Sequence, residues 1–203
     1  MCLRLSVVLT AVACLLLLTG CDDSNEPFAN EREYQLTVQP DGSALERWRL
    51  WGVGAKSAET GVMQTVVEKL VKEYEPFVFQ RTPSNKDSNT FVMRREIIIR
   101  GDALDCFTEL EYPEGIGQTI FRHLQTNGLY CVGLDNDDVE TRHNGETQVW
   151  LDDTNVVTLA VWPTNVTYIW FRQTQTNQTS VPVAWLYKWY LDTNRTFPWQ
   201  TNQ

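Results

Sequence analysis

The chain has 203 residues, 42% hydrophobic and 11% aromatic, enough for the packed core of one domain or two small ones and too apolar for a disordered chain. Its 26 acidic residues outnumber 17 basic ones, for a net charge of −9. That balance excludes general nucleic-acid binding, which needs basic residues against phosphates, and wholesale adhesion to anionic lipid.

The first segment reads MCLRLSVVLTAVACLLLLTGC, with Arg4 ahead of a run from Leu5 to Leu18 that is apolar or small. A spanning helix needs about 20 apolar residues, so the run fits a secretory signal better than a retained membrane anchor. Residues 22–30 (DDSNEPFAN) are polar, contain Pro27, and are expected to form a tether.

Leu18-Thr19-Gly20-Cys21 resembles the lipobox of bacterial prolipoproteins, with charge, apolar run, small residue and cysteine in register over the first tenth of the chain. The resemblance implies removal of residues 1–20 and lipidation of Cys21, and two or three acyl chains there would hold the protein durably on a membrane. Asp22 and Asp23 look like the signal for retention at the inner membrane, which would place the folded part on the periplasmic side; otherwise they simply begin the tether. Cys2 and Cys14 fall in the removed segment.

Tyr34, Leu36 and Val38 alternate with polar residues, which predicts a half-buried strand. Pro40-Asp41-Gly42 is a turn, and Ala44 to Trp51 returns as a second strand, broken by Gly52 and Gly54. Residues 57–75 carry Val62, Met63, Val66, Val67, Leu70, Val71 and Tyr74 at spacings of three and four, the stripe of an amphipathic helix. Ser57 is placed to cap it and Pro76 to stop it. Strands are expected at 77–81 and 91–99, then a short helix from Asp102 to Leu110 and a second over 116–127 ended by Gly128. A strand is expected at 129–133, and the last third, with strands predicted at 147–151, 156–162, 166–173 and 181–190, reads as an aromatic-rich β-meander. The whole predicts an α+β fold with a largely antiparallel sheet: one domain over 31–195, a fraying polar tail over 196–203, and a split near 135–145 as the alternative.

After signal removal, Cys106 and Cys131 form an even pair in an oxidising compartment. A disulfide would close a loop of about 25 residues and contribute about 3 kcal/mol; two separate buried thiols are the alternative. No C-x-x-C spacing points to redox chemistry. Asp135 to Glu140 is the densest acidic run, but it lacks EF-hand spacing and reads as a solvated turn rather than a calcium site. His123 and His143 belong to no metal motif, and no nucleophile elbow or phosphate loop appears, so no cofactor, metal or catalytic residue is expected.

Arg94, Arg95 and Arg100 lie in a locally basic strand, Arg94 and Arg100 on one face and Arg95 on the other, either as ordinary surface ion pairs or as contacts to an acidic partner or headgroup. Of eight tryptophans, Trp189 and Trp199, with Tyr190, are the expected exposed ones and the candidates for glycan stacking or a protein contact. Three N-x-T triplets, at Asn165, Asn177 and Asn194, match the eukaryotic glycosylation pattern and would matter only in a secreted eukaryotic protein. The sequence therefore points to a non-enzymatic, lipid-anchored envelope protein that meets a protein partner, with a peptidoglycan- or glycan-binding module, or an enzyme with an unreadable site, as rivals.

Overall fold

Alternation of buried and exposed side chains organises a sheet whose inner face carries the core. The computed structural model describes residues 25–74, 82–83, 90–114, 129–134, 137–152 and 155–200. Among these the strands are β1 (Phe28–Val38), β2 (Ala44–Ala55), β3 (Thr82–Pro83), β4 (Phe91–Arg100), β5 (Ala103–Tyr112), β6 (Leu129–Gly133), β7 (Val139–His143), β8 (Glu146–Asp152), β9 (Asn155–Pro163), β10 (Tyr168–Gln175) and β11 (Val181–Pro182). The helices are α1 (Thr60–Tyr74) and α2 (Ala184–Asp192). The α+β class with a mostly antiparallel sheet is what the structure has.

Eight strands form one antiparallel sheet in the order β3-β4-β5-β2-β1-β10-β7, with β11 also paired to β2. A smaller sheet has the order β6-β9-β8. Two layers cover the inner face of the large sheet. Over one part, α1 and α2 bury Val66, Val67, Leu70, Leu186 and Tyr187 against Val53, Leu104 and Cys106. Over the other part, Tyr130, Val132, Ala160 and Trp162 of the small sheet pack on Tyr34, Leu36, Tyr112, Ile169 and Phe171.

β2 runs on through Gly52 and Gly54, which the sequence reading takes as its end. Gly52 adopts a φ of +58°, and a Cβ there would meet Asn30 Nδ2 at 2.4 Å. At this point both strands change the face they present: Leu50 and Arg32 point inward on one side of it, Val53 and Ala29 on the other. That local departure from alternation is a positive-φ feature only glycine adopts without strain.

Several expectations are corrected. The segment expected as a helix from Asp102 is strand β5, joined to β4 by the two-residue turn Gly101-Asp102 between the paired Arg100 and Ala103. Gly101 has φ +61°, as such hairpin turns require. The expected strand over 181–190 is a two-residue strand followed by α2, whose inward residues Val183, Leu186, Tyr187 and Tyr190 recur at helical spacing. The last strands therefore do not form a meander: β8 and β9 belong to the small sheet and β10 to the large one. The ends are also more structured than expected: β1 starts at Phe28 inside the expected tether, and in the expected fraying tail Phe197 is 1% exposed, stacked between Tyr190 and Trp199 at 4.5 and 5.3 Å. α1 begins at Thr60, three residues after the expected cap, and Ser57 Oγ accepts a 3.4 Å bond from Glu59 N–H. The strand expected at 77–81 and the helix expected at 116–127 lie outside the described residues.

Candidate functional site

Beside the end of α1, the inner face of the large sheet floors a cavity of about 420 Å³. The floor is set by register. Gln173, Arg32, Leu50 and Cys106 lie opposite one another across β10, β1, β2 and β5. Phe171, Tyr34, Trp48 and Thr108 make the next row in the same order. Leu70, Glu73 and Tyr74 at the end of α1 close the opposite side, with Glu26 and Pro27 at the rim.

The walls are aromatic and rigidly held. Trp48 meets Tyr34 edge-on at 4.6 Å, and Tyr34 stacks on Phe171 at 5.0 Å. Trp48 Nε1–H donates to Glu46 at 2.7 Å, and Tyr112 O–H donates to the same carboxylate. Glu46 is 1% exposed, and burial pushes its carboxyl above the usual range, partly opposed by those two hydrogen bonds. It thus fixes the indole that walls the cavity.

The polar groups of the cavity are unequally satisfied. At the rim, Lys69 pairs with Glu26 at 2.5 Å and Arg95 with Glu73 at 4.0 Å. Arg32 is only 5% exposed, and its Nε and Nη2 make no hydrogen bond; burial alone lowers its guanidinium to about 10. Gln173, 6% exposed, donates through Nε2 to Thr141 Oγ1 at 3.2 Å, while its Oε1 accepts nothing. Burial pushes the Cys106 thiol on the floor up to about 12, the reverse of activation.

The remaining candidates fall elsewhere. Cys21, Asp22 and Asp23 lie outside the described residues, as do His123, Asp135 and Asn136. The disulfide expected between Cys106 and Cys131 is corrected: both are free, buried thiols. Cys106 points inward from the large sheet, while Cys131 alternates with Tyr130 and Val132, whose side chains face that sheet, so its own points away. Arg94 and Arg100 are on the outer face, paired with Glu96 and Asp105, and Arg95 is on the inner face, as alternation requires. Arg49 and Arg94 lie over Phe107 at 5.7 and 5.1 Å, and Arg172 over Trp51 at 4.6 Å, so the outer face is largely self-satisfied. Trp189 is exposed; Tyr190 and Trp199 are partly buried on Phe197, and Trp199 Nε1–H donates to Gln64 at 3.2 Å. Trp185, 50% exposed and one helical turn before Trp189, was not singled out by sequence. His143 packs edge-on against Trp162 at 6.0 Å, with Nδ1 3.1 Å from the Gly145 carbonyl. No group of three metal-ligating side chains occurs among the described residues, and no helix among them is long and apolar enough to cross a membrane.

A second surface stands apart. On β8 and β9, Leu151 faces Val156 and Val149 faces Thr158, on the same side that further along buries Ala160 and Trp162. There the core face runs out into solvent: Val149 is 61%, Leu151 81% and Val156 64% exposed.

The fold is a two-sheet α+β domain with a cavity on the inner face of its large sheet. No family, curated protein or solved structure compared with the chain matches it.

Proposed function

We propose that this chain is a bacterial lipoprotein, cut before Cys21 and held by acyl groups on that cysteine at the periplasmic face of the inner membrane. Its folded domain is a non-catalytic binding or assembly module that docks a protein partner at the β8–β9 hairpin. The observation that carries the reading is the exposed cluster of Val149, Leu151 and Val156. Contiguous exposed apolar side chains on a face that otherwise builds core mark contact surfaces. The lipobox resemblance at Leu18–Cys21 supplies the address, and Asp22 and Asp23 support the inner membrane.

Two measurements test this. The intact mass of the membrane-extracted product, beside a Cys21→Ser variant, is expected to show a chain beginning at Cys21 with acyl mass only in the wild type; retention of residues 1–20 removes the anchoring reading. A photocrosslinking residue placed at Leu151 in living cells is expected to yield a discrete adduct that Val149→Asp abolishes, whereas the same group at Ile98 of the outer face gives none. Equal labelling from both positions rejects the hairpin as the docking site.

One observation favours a second reading. Trp185 and Trp189 are exposed on neighbouring turns of α2, an arrangement on which a sugar ring can stack. A glycan-binding module predicts that isolated peptidoglycan retains the protein and that Trp185→Ala with Trp189→Ala releases it; no retention by any envelope glycan ends that reading.

A further inference from the structure

The cavity contains a charge for which the described residues supply no counterpart. Each rim cation has its own carboxylate: Lys69 has Glu26 and Arg95 has Glu73. Arg32, deeper and nine-tenths buried, has none, and no hydrogen bond reaches its Nε or Nη2. Buried charges are ordinarily paired, because an unpaired one is costly to desolvate. A methionine or leucine at position 32 would pack against Leu50 and Phe171 at no such cost. Directly across the ladder, Gln173 holds an unmatched acceptor, Oε1. The two neighbours thus place one guanidinium and one amide acceptor side by side in the lining, with Arg32 Nε and Nη2 and Gln173 Oε1 enclosed and unpaired. That is the composition of a small-molecule site: mostly apolar lining, few convergent polar groups, and a volume within the ~300–1,000 Å³ such sites occupy.

We propose that this cavity binds a small amphipathic monocarboxylate, its carboxylate on Arg32 and its apolar body against Trp48, Leu50 and Phe171. The guanidinium fork matches a carboxylate in two parallel hydrogen bonds. A single buried cation neutralises a single negative charge, and the rim pairs Lys69–Glu26 and Arg95–Glu73 leave no further net positive charge to balance a second one. A phosphate monoester, which carries more charge and more acceptor oxygens, is therefore disfavoured. Gln173 Oε1 accepts from a hydroxyl or N–H donor on the ligand and so selects among carboxylates. This inference depends neither on the lipid anchor nor on the hairpin contact.

The test uses the full chain, titrated by calorimetry with octanoate, octanamide and octyl phosphate, which share a tail and differ in head group. Octanoate is expected to bind saturably and at least ~tenfold more tightly than octanamide, the factor that 1.4 kcal/mol of lost charge pairing produces. Octyl phosphate is expected to bind more weakly than octanoate. Arg32→Met is expected to lose the preference for octanoate while its unfolding midpoint stays at or above that of the wild type, the reverse of what a purely structural arginine gives. Arg32→Lys is expected to keep a reduced preference. Absence of saturable octanoate binding, equal affinity for octanoate and octanamide, tighter binding of octyl phosphate, or unchanged octanoate binding in Arg32→Met each overturns the proposal. The wild-type comparison of head groups decides it even if a variant fails to fold.

Discussion

Glu46 offers the sharpest test of how the core holds the cavity wall. Its carboxylate accepts hydrogen bonds from Trp48 Nε1–H and Tyr112 O–H in a site that is 1% exposed. Glu46→Leu leaves both donors buried without partners, at about 1–3 kcal/mol each, so a loss of roughly 2–6 kcal/mol is expected. Glu46→Gln keeps both contacts, because its carbonyl accepts from the indole and its amide can donate to the tyrosine oxygen; near pH 4 it should lie within about 1 kcal/mol of the wild type. The two then diverge with pH. Burial raises the folded-state pKa of Glu46 above 4.5, so between the unfolded and folded values the native state holds the extra proton. Wild-type stability is therefore fully present below the unfolded pKa and is lost as pH rises through the folded one, with a slope of at most about 1.4 kcal/mol per pH unit. Glutamine does not titrate. Urea unfolding followed by tryptophan fluorescence between about pH 4 and pH 8 should show Glu46→Gln gaining on the wild type with rising pH. A constant difference, or a wild type that gains as pH rises, would refute the assignment of Glu46 as a carboxyl whose charge is disfavoured by burial.

Other outcomes follow from the packing. Phe197→Ala removes a fully buried ring stacked on two aromatics and should cost about 3–5 kcal/mol by the same urea assay, whereas a frayed tail would lose nothing. Gly52→Ala should cost about 2 kcal/mol, because the residue sits at φ +58° and its new methyl meets Asn30; chemical denaturation at one pH suffices to check it. Both thiols should react with an aromatic disulfide reagent only on unfolding, because burial raises both and holds Cys106 at about 12; rapid labelling of the native protein, or an oxidised intact mass, would contradict the separation of Cys106 and Cys131.

The hydrophobic periodicities of α1 and of the strands around Tyr34, Val92, Val161 and Phe171 were readable from the chain, because each lies on one face of a regular element. Residues 102–110 read as a helix because Asp102 resembles a helix cap, although Gly101-Asp102 is also a two-residue hairpin turn and Leu104, Cys106, Thr108 and Leu110 alternate. In 181–190 aromatic content suggested a strand, while Val183, Leu186, Tyr187 and Tyr190 carried the helical period. The cavity was not legible. Arg32 stands two and four residues before Tyr34 and Leu36 on one face, but a charged residue beside Glu31 and Glu33 reads as solvent-facing. Only cross-strand register, which brings Gln173 to one side of it and Leu50 to the other, shows that it is buried. The same limit hid Glu46, whose partner Tyr112 is 66 residues away.

The place of β1 in the sheet has a mechanical consequence. The strand that begins at Phe28 lies in the interior of the sheet, laddered to β2 on one side and β10 on the other. A force applied to the chain ahead of Phe28 along the strand loads both ladders in shear, so many backbone hydrogen bonds share the strain at once rather than opening one after another. A domain entered this way withstands being tugged from its leading end better than one entered through an edge strand, which can be peeled.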